Sequence, residues 1–125
     1  MKKNKLSIVL GLGILAAMSS CFHNHNISIS ISDDEDEYEM EADYSRSQAH
    51  AVRVYLNDHL LNDEIKLKRN EHVDKEITLD DKTTFYINSN PGSLHIKINK
   101  TENTEESCER VRRACEDLKE ILARN

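Results

Sequence analysis

ISISISDDEDEYEMEADY, residues 27–44, decides the fold. Ile27, Ile29 and Ile31 alternate with Ser28, Ser30 and Ser32. Successive side chains of a strand point to opposite faces, so this period-two pattern predicts a strand with one apolar face. Asp33-Asp34-Glu35-Asp36 interrupts the alternation as a turn. Tyr38, Met40, Ala42 and Tyr44 then alternate with Glu37, Glu39, Glu41 and Asp43. Two such runs around a short polar turn predict an antiparallel hairpin, apolar on one side and wet on the other.

Working outward, the remaining segments must cover that apolar side or extend it. Ser45-x-x-Gln48 has capping-box spacing and opens a helix expected to run to about Leu61, with Ala49, Val52, Leu56 and Leu60 on one face. Four more alternating segments follow, Glu64–Lys68, Val73–Leu79, Thr83–Asn88 and Leu94–Ile98. Turn sequences separate them, of which Ser89-Asn90-Pro91-Gly92 is the strongest. A last helix spans Glu105 to Ala123, capped by Asn103 or Thr104, with Cys108, Val111, Cys115, Leu118 and Leu122 as its apolar stripe. Glu106–Arg110, Glu109–Arg113 and Arg112–Glu116 stand at i,i+4 on its exposed side. The order β-β-α-β-β-β-β-α predicts an α+β domain over residues 27–125: one antiparallel sheet of about six strands, with two helices on one face.

The chain has 125 residues and a formal charge of −6. Residues 1–20 hold Lys2, Lys3 and Lys5 and no acid, so the rest carries −9. Such a balance argues against nucleic acid, whose phosphates need a basic surface, and against docking by net charge on anionic lipid. A basic protein or a cation is the natural electrostatic partner.

Eight acids crowd into residues 33–43: Asp33, Asp34, Glu35, Asp36, Glu37, Glu39, Glu41 and Asp43. They form a candidate interaction face, and as carboxylates they could take a hard cation, although the Asp-x-Asp-x-Asp-Gly calcium loop is missing. A row of like charges on one strand needs compensation, so a lysine-bearing strand (Lys66, Lys68 or Lys97) is expected beside it. Cys108 and Cys115 lie seven residues apart on one predicted helix, about 10 Å between Cα atoms, beyond the ~7 Å a disulfide spans. They are expected to be buried thiols. No zinc, nucleophile-elbow or phosphate-loop motif occurs, so neither enzyme activity nor a cofactor is expected.

At the N-terminus, Lys2, Lys3 and Lys5 precede an apolar run from Leu6 to Met18. As a helix it would span roughly 20 Å, short of a ~30 Å hydrocarbon core, which is signal-peptide architecture. Ala17-Met18-Ser19-Ser20-Cys21 resembles the lipobox of bacterial lipoproteins, with Met18 where leucine is usual. The resemblance implies cleavage before Cys21, its acylation with fatty acid, and anchoring to a membrane of the cell envelope, periplasmic or surface-exposed. Residues 21–26 would be a tether, in which His23 and His25 form a His-x-His pair. Ordinary signal cleavage would instead leave a secreted protein. Metabolic labelling with palmitate separates these outcomes: label is expected in the wild type and none in Cys21→Ser, and equal labelling of both would remove the lipoprotein reading.

Overall fold

The computed structural model describes residues 18–24 and 27–124, the first of these segments by its backbone alone. Residues 1–17 of the expected signal sequence (residues 1–20), and His25 and Asn26 of the tether, lie outside the described residues, while its residues 18–20 have strand backbone. Strand β1 (Met18–Asn24) runs antiparallel along β2 (Ile27–Asp33), with Cys21 opposite Ser30. Residues 21–24 of the expected tether therefore have strand backbone.

Residues 27–124 form an α+β domain with one antiparallel sheet and two helices. Its five strands are β2, β3 (Glu37–Asp43), β4 (Val73–Thr78), β5 (Thr84–Asn90) and β6 (Ser93–Asn99). The order across the sheet is β2-β3-β6-β5-β4, with β1 beside β2 at the edge. Helix α1 (Ala49–His59) carries the chain out of β3, and α2 (Glu105–Ala123) closes the domain.

One strand fewer forms in this region than expected. Glu64–Lys68 is not a strand: Asp63–Ile65 makes one 3-10 turn, capped by the Asn62 side chain accepting from the Glu64 amide. Leu67 is still buried, which accounts for the alternation. Its backbone is satisfied by the Asn57 side-chain amide, which accepts from Leu67 N at 2.8 Å and donates to Leu67 O at 3.0 Å. With those groups paired to α1, Leu67 has none left for a strand ladder.

The apolar positions fall as the alternation requires. Ile29, Met40, Ile87, Ile96 and Ile98 are buried on one face of the sheet, in one cluster with Val52, Leu56 and Leu60 of α1 and Val111, Leu118 and Leu122 of α2. Each such side chain contributes about 1.5–3 kcal/mol by leaving water. The helices are joined by polar contacts at the edges of this layer. Tyr55 donates to Asp117 Oδ2 at 2.7 Å, and Gln48 Nε2 donates to Leu122 O at 3.3 Å. The capping box at Ser45 takes another form, because buried Gln48 turns toward α2 and accepts from the Ser45 hydroxyl at 3.2 Å. Thr104 caps α2, accepting from the Ser107 amide at 3.0 Å.

Cys108 and Cys115 are free and buried within an unbroken α2. Burial pushes both thiols above their ordinary range. Of the expected helix pairs, Glu109–Arg113 forms at 3.9 Å, while Arg110 leaves α2 to meet Asp81 at 2.9 Å.

Candidate functional site

Both helices cover one face of the sheet, so the other is open and carries the alternate residues of every strand. Register sets these in rows. One runs Ser30, Glu41, His95, Asn88, Asp74; the next runs Ser32, Glu39, Lys97, Tyr86, Glu76. Four of the eight acids, Glu37, Glu39, Glu41 and Asp43, stand in line on β3 as expected.

The lysine-bearing strand beside them is β6. Lys97 lies opposite Glu39 and its Nζ is 3.9 Å from Glu37. His95 lies opposite Glu41 but reaches diagonally, donating from Nε2 to Glu39 Oε2 at 2.5 Å. Among the described residues, no cation lies within ion-pair distance of Glu41 or Asp43. The face is thus partly compensated at its centre and uncompensated toward the end of β3.

A network of hydrogen bonds fixes the surroundings. Tyr86 sits edge-on to His95, with ring centroids 5.4 Å apart. Its hydroxyl donates to Asp74 Oδ1 at 2.7 Å, which raises the phenol above its ordinary value, and accepts from Asn88 Nδ2 at 3.3 Å. His72 is 3.1 Å from Asn88 Oδ1. One ligand atom from each of Glu39, Glu41 and His95 lies within 4.8 Å of the others. An imidazole with two carboxylates is a donor set suited to a first-row divalent ion. Sequence spacing did not point to this trio, because His95 meets the glutamates only through the β3–β6 register.

The other four acids have different fates. Asp34 caps the hairpin turn, its Oδ1 accepting from the amides of Asp36 and Glu37, both at 2.9 Å. Glu35 and Asp36 are exposed at the tip. Asp33 continues the parity of Ile27, Ile29 and Ile31, so its carboxylate points under the helix layer. There it accepts from Lys100 and Arg112, and its side chain is 16% exposed. The Arg112 guanidinium also lies 5.2 Å from the centroid of the Tyr38 ring and pairs with Glu109 at 3.4 Å. Asp33 is therefore a structural tie between the hairpin, the turn after β6 and α2, removed from the interaction face. Cys21, the expected lipidation site, is placed only by its backbone partner Ser30.

No family model, no curated protein and no solved structure matches this chain.

Burial pushes the Asp33 carboxyl up, but hydrogen bonds from Lys100 and Arg112, reinforced by their charges, outweigh it and hold the group below its ordinary value. The unfolded chain then binds the proton more readily than the folded one. The stabilisation is complete above the ordinary carboxylate range and lost as pH falls through the folded value. In denaturant titrations from about pH 7 down to pH 2, Asp33→Asn is expected to lower stability near neutrality and to flatten the acid-side loss. A variant that keeps the wild-type slope would show that Asp33 contributes nothing to it.

Proposed function

We propose that this chain is a lipid-anchored envelope protein that binds, without catalysis, a basic segment of another envelope component. The observation that carries this reading is the acid row on the open sheet face, with Glu41 and Asp43 left without ion-pair partners among the described residues. Rows of like charge on one strand repel, and a partner bringing lysine or arginine would relieve that repulsion. The face is held rigid by a backbone ladder and by the Tyr86–Asp74–Asn88 bonds, so little ordering would accompany binding. Val54 is the one large apolar side chain exposed among the described residues, and it lies on α1. Docking on the sheet would accordingly be polar, steered by charge and weakened by salt. The lipobox-like stretch ending at Cys21 supports the anchor. Two or more acyl chains would hold the domain on a membrane at ~0.8 kcal/mol per buried methylene.

A second reading rests on the Glu39, Glu41 and His95 trio, as a site for a transition-metal ion bound where the His95–Glu39 hydrogen bond now stands. Titration with cobalt(II) tests it: a saturable d–d absorption band is expected for the wild type and none for His95→Ala. An absence of any band in the wild type would exclude the ion.

For the principal reading, a photo-cross-linking side chain is placed at Asp43 or at Glu120, the latter on the outer side of α2. In the anchored protein in its native envelope, a discrete adduct is expected from position 43 and none from position 120. Glu39→Gln with Glu41→Gln should abolish it. Equal adducts from both positions, or none from position 43, would refute a docking role for this face.

A further inference from the structure

The acidic chain also carries one concave basic surface. Arg46, His50 and Arg53 follow one another at i, i+4 and i+7, from the 3-10 turn Arg46–Gln48 into the first turns of α1, and so share one side of it. Facing them across a groove are Arg69 and Asn70, with Pro91 of the β5–β6 turn closing one end. The groove is built by bonds already described and by one more. The Asn57–Leu67 pair fastens the 66–71 segment to α1. A turn closes with Glu71 N donating to Lys68 O at 3.1 Å, and Asn70 occupies its third position at φ 61°. A positive φ there suits asparagine, and it leaves Arg69 at the turn's corner.

The charges of this groove are not internally balanced. Arg110, Arg112 and Arg113 on α2 each meet a carboxylate. Among the described residues, no carboxylate lies within ion-pair distance of Arg46, Arg53 or Arg69. Arg53 instead donates from Nη2 to His50 Nδ1 at 2.7 Å. A guanidinium has only donors, so His50 is held with its proton on Nε2, which adds another donor to the cluster. Helix α2 starts with Glu105 and Glu106, the usual sign for the positive end of a helix, whereas α1 has no acid in its first turn and carries this cluster. Cations stacked there repel each other and the helix dipole. In a chain with 23 acids, these three arginines stand together without a carboxylate at ion-pair distance among the described residues. Glu71 borders the adjoining hollow, and its Oε1 accepts from the Lys68 amide at 2.8 Å.

We propose that this groove binds a phosphate-type oxyanion, with Arg46, Arg53 and Arg69 as the charged donors. Guanidinium forks match the paired oxygens of a phosphate group. The acids elsewhere on the chain are screened beyond about 10 Å at 0.1 M salt, so a local site is compatible with the negative total. The same chemistry is presented by a soluble phosphate and by a lipid headgroup.

The test follows the arginine Nε–H resonances of the full chain in a non-ionic detergent, titrated with inorganic phosphate or with dioctanoyl-phosphatidylglycerol. Sodium chloride of equal ionic strength is the blank. Saturable shifts confined to Arg46, Arg53 and Arg69 are expected. Arg53→Gln and Arg69→Gln should each weaken binding about tenfold, as loss of a charge-assisted bond does, and Arg113→Gln should leave it unchanged. Saturation at lower concentration of the lipid identifies a headgroup as the source, and the reverse order a soluble phosphate. Non-saturating shifts, shifts spread over all arginines, or full affinity in Arg53→Gln would overturn the proposal.

Discussion

The rest of the structure depends on the burial of one face of an antiparallel sheet beneath two helices. Every strand contributes alternate residues to that face, and a slip of one residue would turn the apolar set outward along a whole strand. The hydrophobic effect therefore selects the register, and the register assembles the polar face opposite. Glu39, Glu41 and His95 meet because Met40 and Ile96, their neighbours in sequence, must both be buried. The arrangement of the open face follows from the core.

That dependence explains how much was legible beforehand. Alternation in residues 27–44 was enough to place a hairpin, and the stripe from Cys108 to Leu122 was enough to place α2 and to show its thiols too far apart to bridge. That a lysine strand would lie beside the glutamate row also followed from charge alone, and Lys97 on β6 compensates one end of the row while Glu41 and Asp43 stay without an ion pair among the described residues. The segment around Leu67 misled because one buried leucine in an alternating run looks the same whether its amide meets a strand or the Asn57 side chain. Asp33 was read with the acidic turn, although its parity with Ile27, Ile29 and Ile31 placed it on the buried side. Arg112 lies 79 residues away from it, and no local pattern joins the two. The arginine groove was hidden for the same reason: Arg69 reaches α1 only once the 66–71 segment is fastened there.

A row of acids lines the open sheet face, Arg110, Arg112 and Arg113 of α2 meet carboxylates, and Arg46, Arg53 and Arg69 gather beside the start of α1 with no carboxylate at ion-pair distance among the described residues. Asp33 shows what a compensated acid looks like here, with two cations drawn to it under the helix layer. Glu41 and Asp43 show the opposite, fixed on a rigid strand with solvent before them. Both charged surfaces stand on elements whose positions the core determines.

If the open sheet face binds a partner as proposed, that face is covered in the native envelope. Carbodiimide labelling of carboxylates, compared between the intact envelope and the purified protein, tests this most directly. Glu39 and Glu41 are expected to be protected in the envelope and reactive after purification, while Glu106 and Glu120 on α2 label equally in both. Equal labelling of Glu39 and Glu41 in the two states would contradict it.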